Sequence, residues 1–137
     1  MNNKGFTLIE VLATITVIAL FSLIVTPNIY NSVTNAKKDR YIEDAKELVS
    51  KAKYRKSMKK YRDLFVEEDS CSIITLKNLG VFKMKNPDNG YYDSNNSKVK
   101  ICLENSEYEY YIKLISNKGK SISDYTNIDN LTRSNIN

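Results

Sequence analysis

Hydrophobic and polar positions divide this chain into three parts. Residues 1–5 are short and mostly polar, residues 6–26 are almost continuously apolar, and the remainder mixes the two kinds. The apolar part has 21 residues. As a helix with a rise of 1.5 Å per residue it measures about 31 Å, enough to cross the hydrocarbon core of a bilayer. The pattern therefore predicts one helix that is long and apolar enough to span a membrane, followed by a small domain.

Hydroxyl residues and a proline lie in or next to the apolar helix. Hydroxyl groups on a helix can bond the carbonyls of the preceding turn, so they need not interrupt it. They belong to Thr7, Thr14, Thr16, Ser22 and Thr26. Pro27 has no amide hydrogen, and we expect it to kink the helix or to melt it locally.

A second, amphipathic helical pattern follows Pro27. No glycine or proline interrupts residues 28–66, so we expect the helix to continue to about Val66. Apolar side chains recur there at steps of three and four, with one gap bridged by Arg55, and predict a buried stripe. The stripe consists of Tyr41, Ala45, Leu48, Ala52, Met58, Tyr61 and Phe65, widened by Ile42 and Val49.

Two strands are predicted in the second half of the chain. Lys98–Leu103 alternates polar and apolar residues, and residues 108–115 are rich in aromatic and branched side chains. Residues 104–107 form the connecting turn. We expect the apolar side chains of both strands to face the helical stripe and Cys102 to lie on the opposite face. The inward set is Val99, Ile101, Leu103, Tyr110, Ile112 and Leu114.

The remaining segments carry turn signals. Glu67–Ser72 is a polar exit from the helix, and Thr75 is placed to cap a short turn closed by Gly80. Residues 86–90 predict a tight turn, and residues 93–97 a loop. We expect the tail, residues 117–137, to hold a last strand or short helix and its final residues to fray.

The region after the helix is short and is able to bury only a small core. A disulfide between its two cysteines would compensate for that small core. Cys71 and Cys102 allow a single pairing, and a bridge across about 30 residues adds roughly 3 kcal/mol in an oxidising compartment. Two free buried thiols are the alternative.

The composition argues against catalysis. The chain has no histidine, the commonest general base and metal ligand, and no glycine-rich phosphate loop. We predict no enzymatic activity, no cofactor and no metal, zinc included. Calcium is the weak alternative, because oxygen ligands gather in one segment, although their spacing matches no dedicated calcium loop. These are Asp88, Asn89, Asp93 and Asn95.

Basic residues are concentrated on the second half of the predicted helix. Between Lys37 and Arg62 there are 11 basic and 4 acidic residues, and an acidic cluster of Asp63, Glu67, Glu68 and Asp69 follows. Three interpretations stay open: a solvated face with pairs such as Glu47 and Lys51, pairing with a neighbour's acidic cluster, or contact with DNA or an anionic surface. The contact residues for the third are Lys51, Lys53, Arg55, Lys56, Lys59, Lys60 and Arg62, which we call the basic belt.

One carboxylate interrupts the apolar stretch at its beginning. Glu10 lies within Gly5-Phe6-Thr7-Leu8-Ile9-Glu10, and an ionised glutamate in lipid costs a few kcal/mol or more unless it is neutralised. This arrangement resembles the type IV prepilin signal. The resemblance implies cleavage between Gly5 and Phe6 by a prepilin peptidase, methylation of the new Phe6 amine, and pairing of Glu10 with that amine on a neighbouring subunit.

The same resemblance implies a fold, a location and partners. The fold is α+β, a lollipop with a long N-terminal helix packed on a small antiparallel β-sheet. The regions are a leader of residues 1–5, a hydrophobic transmembrane and assembly helix of residues 6–29, and a head of residues 30–137. Partners are other pilins, the peptidase and the pilus assembly machinery with its cytoplasmic ATPase. The protein starts in the cytoplasmic membrane and ends in a surface filament.

Several alternatives remain at this stage. A plain membrane anchor or a secretory signal also fits an apolar stretch, but neither explains Gly5-Phe6 or Glu10. Within the resemblance, the chain is a major pilin, a minor pilin, or a competence pseudopilin or tip protein that binds DNA. The abundance of Asn, Lys, Ile and Tyr without Trp is typical of AT-rich genomes, a weak indication of a low-GC Gram-positive bacterium.

Overall fold

The computed structural model describes residues 6–58, 66–67 and 69–137, apart from the Pro27 side chain. One long helix precedes four strands: α1 (Leu8–Ser57), β1 (Ser70–Thr75), β2 (Lys98–Glu104), β3 (Glu107–Leu114) and β4 (Ile122–Asn127). Two 3₁₀ turns follow, at Ile128–Asn130 and Arg133–Asn135. The α+β prediction, a long N-terminal helix packed on a small antiparallel sheet, is confirmed.

The chain divides into two compact units with a boundary between Ala36 and Lys37. In the first unit the apolar side chains of α1 have no core to enter: Leu8 is 78% exposed and Leu23 75%. An 18-residue window of α1, none of it buried, has a mean hydropathy of 2.6. By length and composition α1 is able to cross a membrane. The predicted boundary between residues 29 and 30 stays a prediction.

Side chains in the first unit bond the helix backbone as expected. Ser22 Oγ donates to the Ile18 carbonyl at 2.8 Å, and Thr26 Oγ1 donates to the Ser22 carbonyl at 2.5 Å. Asn28 Nδ2 donates to the Ile24 carbonyl at 3.1 Å. Helix α1 runs through position 27, so the local melting expected at Pro27 is absent. These side-chain donors bond carbonyls in the turns around the proline. A kink at Pro27 stays a prediction.

Helix α1 ends earlier than its sequence pattern indicated. Its last residue is Ser57, whose Oγ donates to the Tyr54 carbonyl at 2.6 Å, and the Met58 amide turns back to the Arg55 carbonyl at 3.1 Å. Met58 is 37% exposed, so its place in the buried stripe was wrong. The tightened last turn carries its side chain away from the core. Tyr61 and Phe65 lie outside the described residues.

The sheet is an antiparallel meander in the order β1-β2-β3-β4. The predicted hairpin is confirmed, since β2 pairs with β3 in a register that sets Val99 opposite Ile112. The expected exit at Glu67–Ser72 was partly wrong, because β1 begins at Ser70 and pairs with β2. Its sequence shows no alternation, and the edge of β2 supplies the pairing that makes it a strand.

The last strand or short helix predicted for the tail is present, but the predicted fraying of its final residues was wrong. The tail forms β4 and the two 3₁₀ turns. Ile136 is only 1% exposed, and Asn137 exchanges two backbone hydrogen bonds with Ser121, at 2.8 and 3.0 Å. Burial of an isoleucine is worth about 1.5–3 kcal/mol, which explains why this segment is ordered rather than frayed.

The core lies between the second half of α1 and one face of the sheet. The predicted stripe supplies its helical side, and the inward residues of the strands supply the other. Fully buried members are Tyr41, Ala45, Leu48, Ala52, Val99, Ile101, Ile112, Leu114 and Ile122, with Leu103 and Tyr110 packed at the margin. The inward parity of β2 and β3 is therefore as predicted, and their alternate residues form the opposite face.

The predicted turn after β1 is present. Thr75 Oγ1 accepts a hydrogen bond from the Asn78 amide at 3.2 Å, and the Val81 amide donates to the Leu76 carbonyl at 2.9 Å. Gly80 has a φ of 80°, a left-handed conformation that glycine adopts without steric cost. The turn buries Leu76 against the core.

A carboxylate joins two loops to α1. Asp88 accepts hydrogen bonds from Lys37 Nζ at 2.8 Å, Tyr41 OH at 2.9 Å and the Lys120 amide at 3.2 Å. Gly119 has a φ of 89°, and a Cβ there would overlap the Asp88 side chain. The hydrogen bond from Lys37 is the main reason that the pKa of Asp88 lies below its usual value.

Two tyrosines extend this polar contact into the core. The rings of Tyr41 and Tyr92 meet edge to face at 5.9 Å, and Tyr92 OH donates to Asp44 Oδ2 at 2.7 Å. Burial raises the pKa of Tyr41 to about 12 and also raises that of Tyr92. Burial likewise raises the pKa of Asp44. Both phenols are therefore neutral donors at physiological pH, which satisfies polar groups that the core would otherwise leave unpaired.

Cys71 and Cys102 form a disulfide with Cα atoms 4.1 Å apart. The predicted pairing is confirmed, but its position differs, because Cys71 belongs to β1 and not to a loop. The two residues lie directly opposite each other in the β1–β2 register. The bridge therefore fastens the edge strand to the sheet, on the face opposite the core.

Removing the disulfide should lower stability. We expect Cys102→Ser to lower the free energy of unfolding by about 2–4 kcal/mol, because the unfolded chain regains the entropy of an open loop. Urea titration of the full chain in detergent micelles measures this. Reductant should destabilise the wild type and leave Cys71→Ser/Cys102→Ser unchanged. A wild-type midpoint that does not move on reduction would contradict the prediction.

Asp88 should contribute stability that depends on pH. Its folded pKa lies below the ordinary value of an aspartate, about 3.9, so its contribution is fully present above that value and is lost as pH falls through the folded pKa. Asp88→Asn should therefore lower Tm at neutral pH, and the gap from wild type should shrink below about pH 4. Calorimetry across this range tests it, with exposed Asp124→Asn as the matched control. A gap that is constant with pH would count against the ion pair.

Candidate assembly and processing site

The predicted cleavage position lies at the edge of the described chain. Gly5 is outside the described residues, whereas Phe6 is 79% exposed and, like Thr7, precedes the first helical residue, Leu8. The amide of Phe6 therefore belongs to a non-helical, exposed segment, the conformation in which a peptide bond is open to an enzyme. Cleavage between Gly5 and Phe6 and methylation of Phe6 stay predictions.

Thr7 and Glu10 form a reciprocal cap at the start of α1. The Thr7 amide and Oγ1 both donate to Glu10 Oε2 at 3.2 Å, and the Glu10 amide approaches Thr7 Oγ1 at 3.4 Å. This is a capping box, which satisfies amide groups that the first turn leaves unbonded. Sequence reasoning missed the role of Thr7, although the Thr-x-x-Glu spacing before an apolar run was the available signal.

Glu10 has capacity for a second partner. All three contacts involve Oε2 or the amide, and within the described part of the chain Oε1 accepts no hydrogen bond. Glu10 is also the only charged residue between Phe6 and Ala36. Any counter-charge for Glu10 therefore lies outside residues 6–36 or in another molecule.

The apolar surface around Glu10 is the second component of this site. Side chains on all sides of the first unit of α1 are exposed, including Leu12, Ile15, Ile18, Phe21 and Ile24. Each such side chain gains about 1.5–3 kcal/mol on leaving water. A helix that is apolar all round belongs in a membrane or among other helices. The arrangement therefore favours insertion or helix–helix assembly around one carboxylate.

The structure places the described members of the basic belt against the chain itself. Lys51 Nζ pairs with Glu47 at 2.7 Å, as the solvated-face interpretation predicted. Lys53 Nζ lies 4.5 Å from the centre of the Tyr110 ring, Lys56 lies over Tyr108, and Arg55 Nη1 donates to the Asn78 carbonyl. Burial lowers the pKa of Lys56.

These contacts reduce what the basic belt offers to another molecule. Cations stacked on tyrosine rings are attracted to the ring quadrupole and are partly desolvated. Lys59, Lys60 and Arg62 lie outside the described residues. Contact between the belt and DNA therefore stays a prediction, and the contacts of Lys53, Arg55 and Lys56 within the chain weaken it. Pairing with a neighbour's acidic cluster also stays a prediction, with Glu67 and Asp69 exposed and Asp63 and Glu68 outside the described residues.

The weak calcium candidates have other partners. Asp88 binds Lys37 and Tyr41, as described above. Asp93 accepts hydrogen bonds from the Asn95 amide at 2.9 Å and from Asn96 Nδ2 at 2.7 Å, and these bonds lower its pKa. No group of three or more His, Cys, Asp or Glu side chains suited to a metal was found in the described ranges. The carboxylates act in turns and ion pairs.

Comparison with known proteins assigns the N-terminal segment. Residues 1–26 match the prokaryotic N-terminal methylation motif. Comparison with curated proteins and with solved structures gave no significant match. The motif spans 26 of 137 residues, so it characterises the capped apolar helix and leaves the head to be argued from its own structure. The chain thus carries the type IV prepilin signature, as its sequence predicted.

Proposed function

We propose that this protein is a structural subunit, a major or minor pilin, of a type IV pilus or related filament. We further propose that the filament serves adhesion, surface motility or biofilm formation. One observation carries the proposal: the match to the prokaryotic N-terminal methylation motif coincides with an apolar helical segment that is exposed on all sides and bears one carboxylate. Such a surface is stable only in lipid or among similar helices. The motif favours a structural role over an enzymatic one.

Processing changes the charge of the helix end. A prepilin peptidase adds water across the Gly5–Phe6 peptide bond, which breaks the C–N bond and creates a new carboxylate on Gly5 and a new amine on Phe6. An α-amino group has a pKa of about 7.7–8.0 and is largely protonated at neutral pH. Cleavage therefore creates one positive charge four residues before Glu10, and methylation retains it.

Assembly then offers Glu10 a partner. Oε2 bonds Thr7 while Oε1 is open within the described chain, so a neighbouring subunit's Phe6 amine is able to approach without breaking the cap. Two unit charges 4 Å apart attract by about 4 kcal/mol at an effective dielectric constant of 20. Because both groups would otherwise be buried unpaired, the pair favours a single axial register between neighbouring helices.

The proposal includes a sequence of locations and partners. The unprocessed protein is held in the cytoplasmic membrane by α1 and meets the prepilin peptidase there. The assembly machinery, driven by a cytoplasmic ATPase, then moves it into a filament with other pilins on the cell surface. The oxidised Cys71–Cys102 pair supports a head outside the cytoplasm, where disulfides persist.

A competence pseudopilin or DNA-binding tip protein is the alternative. Such a protein has the same prepilin signal and apolar helix as a structural pilin, but its head binds DNA. The engagement of Lys53, Arg55 and Lys56 by their own chain favours the structural role. Salt-dependent DNA binding that weakens when the basic belt is neutralised would favour the alternative.

Mass spectrometry should locate the mature N-terminus at Phe6. In cells with a prepilin peptidase we expect a chain lacking residues 1–5 with one added methyl group. Gly5→Val should block processing, because a branched side chain enlarges the residue at the cut, whereas Gly5→Ala should be processed more completely. An intact Met1 in peptidase-positive cells, or cleavage beyond Thr26, would contradict the proposal.

Substitution of Glu10 should separate its charge from its capping role. Glu10→Val removes both, and we expect membrane insertion to persist while incorporation into filaments falls sharply, because the Phe6 amine loses its partner. Immunodetection of this protein in sheared filaments measures incorporation, which also serves if the subunit is minor.

Glu10→Gln is the matched control. Glutamine retains the capping contact with Thr7 but carries no charge. If incorporation fails equally in Glu10→Gln and Glu10→Val, the charge is responsible. Wild-type incorporation of Glu10→Gln would refute the ion pair and leave the cap as the function of this side chain.

A further inference from the structure

The sheet face opposite the core has charges sorted by sign along the strands. We call it the outer face, and its members on β2 and β3 are Lys98, Lys100, Cys102, Glu104, Glu107, Glu109, Tyr111 and Lys113, the residues that alternate with the buried ones. Its three lysines lie towards one end of the hairpin, and its three glutamates lie at the turn end. The outer face is therefore bipolar and has no net charge.

Like charges stand directly opposite each other at both ends of this face. Lys98 is paired with Lys113, and Glu104 is paired with Glu107. Directly opposed like charges destabilise an antiparallel pair. A single chain gains nothing from this arrangement, since exchanging Lys113 with Glu107 would place opposite charges across both positions.

In the part of the chain that the structure describes, three of the four end charges have no ion-pair or ring partner. Within the described ranges the ion pairs involve Lys37, Lys51 and Arg133, and none involves Lys98, Glu104 or Glu107. Glu104 and Glu107 are exposed.

Glu109, Lys100 and Lys113 have partners, although Lys113 lies at the lysine end of the face. Glu109 accepts hydrogen bonds from Tyr111 OH at 2.5 Å and Asn127 Nδ2 at 3.2 Å. Lys100 Nζ lies 4.3 Å from the Tyr111 ring centre, and Lys113 Nζ lies 6.0 Å from that of Tyr125. The charges of this face without a partner in the described ranges are therefore Lys98, Glu104 and Glu107.

A second copy of the same face supplies the missing charges in one orientation. Lys98 and Glu104 are six positions apart on β2, about 20 Å at 3.3 Å per residue. Suppose that two such faces are related by a two-fold axis that lies between them and is perpendicular to the strands. The strands of one copy then run antiparallel to those of the other. The lysine end of each copy then covers the glutamate end of the other. A two-fold axis parallel to the strands would set lysine on lysine and is disfavoured.

We propose that the outer face pairs with the outer face of a second copy in this antiparallel, two-fold arrangement. Ile73, 53% exposed on β1 opposite Lys100, and the rings of Tyr111 and Tyr125 supply apolar contact at its centre. A nucleic acid fits less well, because its phosphates would meet the glutamates as well as the lysines. The pairing goes beyond the proposed filament, since it uses the sheet and not the apolar helix.

Charge reversal tests the proposal on the full chain in zwitterionic detergent. Lys98→Glu/Lys113→Glu makes the outer face acidic, and Glu104→Lys/Glu107→Lys makes it basic. Copies with two different affinity tags are mixed and co-purified at low ionic strength. Wild-type copies should co-purify. Two copies of the same variant should co-purify at least about tenfold less, because their like charges then face each other. The acidic variant mixed with the basic one should recover association.

Salt and a second variant pair complete the test. Raising ionic strength from about 0.01 M to about 1 M shortens the screening length from about 30 Å to about 3 Å and should release the wild-type pair. Lys77→Glu/Lys83→Glu, exposed lysines outside this face, should change nothing. Retention of the disulfide on non-reducing mass mapping shows that each variant is folded.

Two results would overturn the proposal. The first is an acidic–basic mixture that associates no better than either variant alone. The second is wild-type chains that do not associate while a single-stranded oligonucleotide binds and is lost in Lys98→Glu/Lys113→Glu. The lysine end would then be a polyanion site. Association through α1 is common to every variant, so both results are judged on association above this shared background.

Discussion

Covering the apolar surface of the first unit of α1 is the constraint on which the other features depend. Water cannot solvate a helix of this kind at acceptable cost, and the chain supplies no core for it. The helix therefore needs lipid or other helices, and in either setting the single carboxylate of Glu10 becomes costly. The capping contact with Thr7 reduces that cost and leaves one oxygen for a cation.

Periodicity in the sequence was enough to place the core and the central hairpin. The stripe from Tyr41 to Ala52 and the strands β2 and β3 follow local rules of helix and strand periodicity. Strand β1 was beyond these rules, because Ser70–Thr75 becomes a strand only through the edge that β2 provides. The burial of Ile136 is likewise decided by contacts between distant residues, whereas α1 ends at Ser57 with local hydrogen bonds.

The candidate site divides in the same way. Gly5, Phe6 and Glu10 belong to a short contiguous motif, so the sequence was sufficient to nominate them. The basic belt was different, because the rings that cover Lys53 and Lys56 belong to Tyr110 and Tyr108 on β3. These contacts join residues far apart in the chain, so the sequence alone did not reveal them. Charge counted along a helix says little about availability until the elements packed against that helix are known.

The order in which the head folds follows from its last two residues. Every strand pairs with its neighbour in sequence, so the sheet is able to grow step by step from local contacts. Ile136 and Asn137, however, close the core and pair with Ser121. The sheet is thus able to form before the core is complete, and completion of the core waits for Ile136 and Asn137.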